Sequence, residues 1–219
     1  MQIYFVRHGK TEWNLASRFQ GGHGNSPLLP QSLQDIKKLG EYLKGTHFRA
    51  FYASPLRRAF DTAQGINEIV NNRLPVNVDE RLREFNLGKL EGMNFDEAAK
   101  KYPVIIDNFW NHPDLYDPTE IDGETYESVL KRGKDFIAEK VKQFPKDDDK
   151  ILVVSHGAYL CALMNSLIGI PLADLRKHGG LSNTSLTVLE TNDNGESFHK
   201  VLWNETSFLG RELSETDSL

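Results

Sequence analysis

Two short apolar segments of the sequence each end in a histidine followed by a glycine. Residues 3–6 lead into Arg7-His8-Gly9, and residues 151–154 lead into Ser155-His156-Gly157. Short apolar runs of this kind are typical of buried strands, and ligands of an open α/β sheet bind beyond the carboxyl ends of its strands. The sequence therefore predicts a small cationic pocket, made by two imidazoles and an arginine. Such a pocket can bind a phosphate dianion, which one of the imidazoles can attack.

The rest of the chain alternates between strand-like and helix-like patterns. The apolar spacing predicts strands at 2–7, 49–53, 75–78 and 150–155, and helices at 31–44, 55–70, 124–143 and 157–169. Two further strands, 185–190 and 198–203, flank a strong turn signal at residues 192–195 and predict a terminal hairpin. Alternating βα units predict the α/β class, with a mostly parallel central sheet flanked by helices on both faces and an antiparallel terminal hairpin.

The length of 219 residues suits one domain, which we assign to residues 1–213. Residues 86–123 fit the sheet pattern poorly and combine aromatic residues with prolines, so we predict an insertion of short helices folded over the strand ends. Its aromatic side chains, among them Phe109 and Trp110, suit either an organic leaving group or a small local core. Residues 214–219 form a polar, acidic tail, for which we expect disorder.

Composition and charge limit the partners that the protein can have. A formal net charge of −5 argues against nucleic acid and anionic membranes, which need basic surfaces, but allows small anionic ligands. The N-terminal apolar run is too short for a signal peptide, and no segment approaches a membrane span of about 20 apolar residues. We therefore expect a cytoplasmic protein. The single cysteine, Cys161, is expected to be a buried core thiol. The oligomeric state stays open.

A second arginine pair and a carboxylate follow the next two strands and add candidates for the pocket. The pair Arg57-Arg58 follows the second strand, and Pro55 just before it suits a first helical turn whose amides favour anions. Arginine suits phosphoryl oxygens because its guanidinium donates parallel hydrogen bonds. Glu84 follows the third strand. A carboxyl buried beside a phosphate can stay protonated and serve as the general acid for a leaving alkoxide.

Each of these features also has an ordinary structural explanation. A histidine-glycine pair after a strand is usually a turn, Arg57-Arg58 alone suits an exposed helix start, and Glu84 alone suits a surface charge. Two such strand ends in one domain, the first preceded by Arg7, favour the phosphate site. The histidines show no metal-binding spacing, so no metal site is predicted.

Four segments, in order along the chain, resemble the histidine phosphatase superfamily, the phosphoglycerate mutase-like proteins. They are residues 7–14, 54–63, 83–92 and 154–157. Residues 18–21 stand where that family has its phosphate-side loop. The segments cover most of the chain, and the resemblance implies a mixed α/β sheet between helices and catalysis without a metal. For this chain we expect no cofactor.

The resemblance also implies roles for individual residues. His8 would be the nucleophile that becomes phosphohistidine, and Glu84 would be the proton donor. The phosphoryl group would be held by Arg7, Arg58 and His156, with a further hydrogen bond from Asn14. The rest of the pocket would be lined by Gln20, Gly21 and the amide of Gly157.

The residues after Glu84 separate two branches of this family. Cofactor-dependent mutases have Glu-Arg-His-Tyr at the acid position and a longer chain. This chain has Glu-Phe-Asn-Leu-Gly at 84–88 and resembles the small phosphatases instead. Residues 25–32 depart from the family pattern after the first loop, which leaves open whether Arg18 and His23 read the substrate or are simply solvated.

These observations predict a phosphomonoester hydrolase that acts through a phosphohistidine intermediate on a small phosphorylated metabolite. A cofactor-dependent phosphoglycerate mutase is the alternative within the enzymes, and it would need a bisphosphate primer. A non-catalytic phospho-ligand sensor is the alternative from another class, although a binding module has no need of Glu84.

Overall fold

A computed structural model describes residues 1–70 and 74–218. Its strands are β1 (Gln2–Arg7), β2 (Ala50–Ala53), β3 (Val76–Val78), β4 (Lys150–Ser155), β5 (Leu186–Glu190) and β6 (His199–Glu205). Its α-helices are α1 (Glu12–Leu15), α2 (Pro30–Tyr42), α3 (Arg57–Val70), α4 (Phe95–Lys101), α5 (Pro103–Asn111), α6 (Tyr126–Gln143) and α7 (Gly157–Leu167). The parts of the domain and tail predictions that concern residues 71–73 and 219 lie outside the described residues.

The strands form one sheet of six strands in the order β3-β2-β4-β1-β5-β6. The first four strands of the chain run parallel, whereas β5 pairs antiparallel with β1, and β6 pairs antiparallel with β5. This arrangement confirms the predicted α/β class, the mostly parallel sheet and the antiparallel terminal hairpin. Strands β1 and β4 are neighbours, with Arg7 opposite Ser155, so the two histidine-glycine pairs leave the sheet side by side.

The apolar strand residues separate the core into two layers. In β4, Ile151 and Val153 pack in the layer that contains α6 and α7, whereas Leu152 and Val154 pack in the layer that contains α2 and α3. Successive side chains of a strand point to opposite faces, so each face of β4 is covered. This two-sided burial explains why the central strands read as continuous apolar runs.

Local signals explain several helix boundaries. Helix α2 begins at Pro30, whose fixed φ suits the first helical position. Helix α6 follows Thr125, whose side chain accepts a hydrogen bond from the amide of Ser128. Helix α1 was not predicted, because its four residues are too short to show a helical period, and a capping box between Thr11 and Asn14 holds it. Among the described residues, no helix has both the length and the apolar character that crossing a membrane requires.

Residues 86–123 contain α4, α5 and short 3-10 turns that cover the sheet beside α6. Phe109 is 1% exposed, and its ring packs against those of Phe85 and Tyr116 at centroid distances of 5.5 and 5.2 Å. The aromatic residues of this segment therefore build a local core, in contact with the main one.

The expectation of disorder in the tail is wrong for residues 214–218. Asp217 is 1% exposed, and its carboxylate accepts hydrogen bonds from Arg211 at 2.9 Å and from the Ser214 amide at 2.7 Å. Its backbone carbonyl accepts a hydrogen bond from Arg7 at 3.2 Å. The polar composition of the tail suggested solvation, whereas the charge of Asp217 is paired with Lys10 and Arg211.

Candidate active site

The pairing of β1 with β4 brings the two predicted histidines into contact. The ring centroids of His8 and His156 are 5.2 Å apart, and the rings meet edge to face. Both side chains are almost fully buried, at 3% and 0% exposure. The predicted site residues other than His156 border one cleft of about 590 Å³, a volume that includes the solvent at its mouth: Arg7, His8, Asn14, Gln20, Gly21, Arg58, Glu84 and Gly157.

Hydrogen bonds at both ring nitrogens fix the protonation state of His8. Its Nε2 atom lies 3.1 Å from Nε of Arg58, which can only donate, so Nε2 is the acceptor. Its Nδ1 atom lies 2.7 Å from the carbonyl oxygen of Gly9 and therefore carries the proton. Burial, followed by the charges of Arg58 and Arg7, lowers the pKa of His8 well below its ordinary value. His8 thus presents a neutral imidazole with a lone pair on Nε2, the form that acts as a nucleophile.

Arg7 and Arg58 form a cationic wall beside His8. They are only 3% and 2% exposed. Burial lowers the pKa of each guanidinium to about 10, and the negative charge of Glu84 opposes that shift. Both arginines therefore stay charged at neutral pH, and they place two positive charges where phosphoryl oxygens would lie.

Two backbone carbonyls hold the Arg7 guanidinium, and its Nε–H group stays free to donate to a ligand. One terminal nitrogen donates to the backbone carbonyls of Leu181 and Asp217. Its buried Nε atom has no partner within residues 1–70 and 74–218. A Cβ atom at residue 157 would lie 3.0 Å from that Nε atom, so Gly157 allows the start of α7 to approach the guanidinium closely.

The loop of residues 20–24 holds the Arg58 guanidinium in place. Arg58 donates from its two terminal nitrogens to the carbonyl oxygens of Gly21 at 3.0 Å and Gly24 at 2.7 Å. The Glu91 carboxylate holds the loop in turn by accepting hydrogen bonds from loop amides, including that of Gly24 at 3.0 Å. Gly21 has a φ of +59°, and a Cβ atom there would collide with Glu91. Gly21 therefore positions Arg58 through its carbonyl group.

Asn14 and Gln20 meet at the hydroxyl group of Thr11. This hydroxyl donates to Oδ1 of Asn14 at 3.0 Å and accepts from Nε2 of Gln20 at 2.8 Å. The side-chain Nδ2 atom of Asn14 makes no hydrogen bond among the described residues, so it can donate to a ligand in the cleft. Gln20 instead leaves its buried Oε1 atom, an acceptor, without a partner in the same part of the chain.

His156 is held by Ser54, a residue that the sequence analysis did not assign to the site. Its Nε2 atom lies 2.7 Å from Oγ of Ser54. Its Nδ1 atom is buried and has no partner in the described ranges. Burial, followed by the charges of Arg58 and His8, lowers the pKa of His156 well below its ordinary value. His156 is therefore neutral, with one ring nitrogen uncommitted.

The Glu84 carboxylate lies at the start of α7. Its oxygens accept hydrogen bonds from the backbone amides of Phe85 at 2.9 Å, Ala158 at 3.0 Å and Tyr159 at 2.8 Å. Two of these amides belong to the first turn of α7, where the helix dipole also favours negative charge. The side chain is buried, as the sequence analysis predicted, and backbone amides surround its oxygens. Glu84 borders the cleft and can exchange a proton with a ligand there.

Comparison with known protein families agrees with this geometry. A model of the histidine phosphatase superfamily (branch 1) matches residues 3–206. The chain belongs to the histidine phosphatase superfamily. The match runs from β1 to the end of β6 and includes every predicted site residue, so the resemblance seen in the sequence is confirmed.

Some relatives of this chain are named phosphatases and others are named phosphoglycerate mutases. The chain is 33% identical over 167 residues to PhoE, an uncharacterized phosphatase of Bacillus subtilis, covering 76% of this chain and 77% of PhoE. It is 32% identical over 173 residues to a 2,3-bisphosphoglycerate-dependent phosphoglycerate mutase of Cytophaga hutchinsonii, covering 79% and 80%. The solved structure of Bacillus stearothermophilus YhfR matches with a TM-score of 0.86 and 33% identity, over 95% of this chain and 98% of YhfR.

The sequence left open whether Arg18 and His23 contact the substrate, and the structure places the two residues differently. Arg18 borders the cleft and donates to the carbonyl oxygen of Gly92 at 2.7 Å. His23 lies beside a neighbouring groove, is exposed, and has its Nδ1 atom 3.4 Å from Glu91. Across residues 1–70 and 74–218, no three His, Cys, Asp or Glu side chains converge in a way that could hold a metal ion.

Arg176 also borders the cleft, and the sequence analysis missed it. It lies between α7 and β5, in a segment of short turns without helical or strand periodicity. Its guanidinium stacks over Trp110, which borders the cleft together with Phe95 and Phe109. The aromatic residues of the 86–123 segment therefore line the ligand space as well as forming a local core.

Proposed function

We propose that the protein is a phosphomonoester hydrolase that acts on a small phosphorylated metabolite through a phosphohistidine intermediate at His8. The observation that carries the proposal is the state of His8: a neutral, buried imidazole whose Nε2 atom keeps its lone pair beside two charged arginines. A solvated histidine is partly protonated near neutral pH, whereas this one is held in the nucleophilic form.

In the first transfer, Nε2 of His8 forms a bond to phosphorus while the bond from phosphorus to the ester oxygen breaks. The Nε–H group of Arg58, which donates to His8 in the structure, turns to the phosphoryl group, and the Nε–H group of Arg7 is a second donor. Both arginines stabilise the charge on the phosphoryl oxygens. Glu84 acts as the general acid and gives a proton to the leaving alkoxide.

In the second transfer, water attacks the phosphorus of phospho-His8, the bond from phosphorus to nitrogen breaks, and inorganic phosphate leaves. Glu84, now ionised, takes a proton from the attacking water and is ready for the next turnover. The amides of Ala158 and Tyr159 suit the ionised stage of this cycle. The hydrogen bond from Nδ1 to Gly9 keeps the ring oriented in both steps.

A cofactor-dependent phosphoglycerate mutase is the second candidate, because a relative with that name is 32% identical over most of both chains. Such a mutase would form the same phospho-His8 but would pass the phosphoryl group to a second substrate oxygen instead of water. The sequence after Glu84 and the phosphatase relative favour hydrolysis.

The test incubates the purified protein, in the presence of a chelator, with a panel of phosphate monoesters. The panel includes 3-phosphoglycerate with and without a bisphosphate primer, and both free phosphate and isomer formation are followed. We expect phosphate release from one or more esters. His8→Ala should abolish it, whereas His199→Ala, which removes an exposed histidine of β6, should not.

Other outcomes separate the alternatives. Isomerisation that depends on the primer and proceeds without phosphate release would identify a mutase. Tight binding of an ester without turnover would favour a non-catalytic sensor. Phosphate release by His8→Ala at the wild-type rate would contradict the nucleophilic role of His8.

A further inference from the structure

Arg176 is a buried cation that forms no ion pair with any described residue of the protein. The residue is 9% exposed, and its guanidinium carbon lies 4.5 Å from the ring centre of Trp110 and 5.5 Å from that of Phe109. Its Nη1 atom is buried without a hydrogen-bond partner, and no ion pair within residues 1–70 and 74–218 involves the side chain. Burying a charge without a partner is costly, so this placement points to an anion that a ligand supplies.

The other arginines that border the cleft are engaged by the protein itself. Arg7 donates to two backbone carbonyls, Arg58 donates to His8 and two loop carbonyls, and Arg18 donates to a third segment. Arg176 differs from them because its side chain makes no hydrogen bond within the described residues and its guanidinium lies over an aromatic ring. Its positive charge adds to burial in lowering the pKa of Arg7, so the two guanidinium groups share one electrostatic environment.

The charges in the cleft indicate which anion Arg176 suits. Arg7 and Arg58 lie beside His8 and match the two negative charges of a phosphate dianion, and Arg18 donates to a backbone carbonyl. Arg176 is the remaining arginine of the cleft, and it can match one further negative charge. A guanidinium stacked on an aromatic ring presents its planar edge, and two parallel N–H groups match the two oxygens of a carboxylate. A second phosphate dianion would bring two charges to a single arginine.

We infer that Arg176 binds a carboxylate on the leaving group, and that the substrates are phosphate monoesters of hydroxy carboxylic acids. The inference rests on the proposed function, because it names the leaving group of that reaction. Trp110 and Phe109 hold the plane of the guanidinium, and Phe19 and Phe95 border the space for the carbon skeleton. Arg176 is thus a specificity-determining residue and takes no part in bond formation.

The test compares esters in pairs that differ at the carboxylate: O-phospho-L-serine with O-phosphoethanolamine, and 3-phosphoglycerate with glycerol 3-phosphate. For the wild type we expect kcat/KM to be at least about 10-fold higher for the carboxylate member of each pair. In Arg176→Met the carboxylate member should lose about 10- to 100-fold, the range for one charged, hydrogen-bonded contact, and the preference should vanish. KM should carry most of the loss, because the carboxylate does not change in the transition state.

Three controls keep the result interpretable. Arg176→Met should still release phosphate from p-nitrophenyl phosphate, which has no carboxylate, with a much smaller loss than on the carboxylate esters, and a circular dichroism spectrum like that of the wild type should show that the variant is folded. Arg176→Lys keeps the charge but not the planar fork, so it should retain part of the preference. Arg57→Met removes an exposed arginine of α3 that is paired with Asp61, and it should keep the full wild-type preference.

The failure of the inference can be told from the failure of the proposed function. Equal losses on both members of each pair, or a wild type that releases phosphate without preferring the carboxylate member, would overturn the role of Arg176 alone. Absence of phosphate release from every ester, including p-nitrophenyl phosphate, would overturn the proposed function and this inference with it.

Discussion

The buried histidines make the stability of the protein depend on pH. Burial, followed by the charge of Arg58, lowers the pKa values of His8 and His156 well below the ordinary value in the folded protein. In the unfolded chain each histidine titrates near about 6.5. As the pH falls through that value, the unfolded state binds protons that the folded state excludes. The free energy of unfolding must therefore decrease towards acidic pH.

The size of this effect follows from proton linkage. Each excluded proton lowers the free energy of unfolding by about 1.36 kcal/mol per pH unit below the unfolded-state pKa. Between about pH 7 and about pH 5, one such histidine lowers it by up to about 1.9 kcal/mol, and the pair by up to about 3.8 kcal/mol. The upper value applies when both folded-state pKa values lie below this range. It is a large part of the roughly 5–15 kcal/mol that stabilises a typical domain.

Urea unfolding across this pH range, in a buffer without phosphate, measures the effect. His8→Asn removes one of the two excluded protons, so it should remove at least about half of the pH dependence. His199→Asn, which changes an exposed histidine, should keep all of it. Added inorganic phosphate should flatten the wild-type curve, because a bound dianion stabilises the charged form of His156. The same pH dependence in the wild type and in His8→Asn would refute the reasoning.

Three further predictions concern groups around the nucleophile. In steady-state assays, Glu84→Gln should lower kcat/KM for alkyl phosphates by about 10²- to 10⁴-fold and for p-nitrophenyl phosphate much less, because only a poor leaving group needs the acid. Equal losses would exclude that role. Ser54→Ala removes the hydrogen bond to the buried Nε2 atom of His156, so urea unfolding should show a loss of about 1–3 kcal/mol; no loss would mean that the bond contributes nothing. Burial alone would raise the pKa of Asp217, but the hydrogen bonds from Arg211 outweigh it and hold that pKa far below its ordinary value. Asp217→Asn should therefore be about 1–3 kcal/mol less stable than the wild type at neutral pH. The difference should shrink below about pH 4, because the unfolded wild-type chain then binds a proton that the folded carboxylate, with its lowered pKa, still excludes; a constant difference would contradict it.

The strands and the residues at their ends could be predicted because they depend on local pattern. Apolar runs identify β1 and β4, and each run is short enough that the next polar residues must lie at the edge of the sheet. His8 and His156 were found in this way. Their contact depends on the sheet order, which places β4 beside β1 although their sequences are far apart.

Contacts between distant segments could not be predicted in this way. The carbonyl of Asp217 binds Arg7 across 210 residues, and the polar sequence of the tail gave the opposite expectation. Glu84 was identified, but the amide of Ala158 that holds it lies 74 residues further along the chain. Arg176 lies in an irregular segment where no periodicity distinguishes a buried arginine from a solvated one.

Trapping the phosphoenzyme tests the role of His8 most directly. The protein is mixed with an ester that it hydrolyses, and the reaction is quenched at alkaline pH, where phosphohistidine survives. The product is analysed by intact-protein and peptide mass spectrometry. We predict a mass increase of one phosphoryl group, located on His8, lost on acid treatment, absent in His8→Ala and present in His199→Ala. Turnover of the ester with no phosphoryl group on His8, or with the group on another residue, would contradict the proposed mechanism.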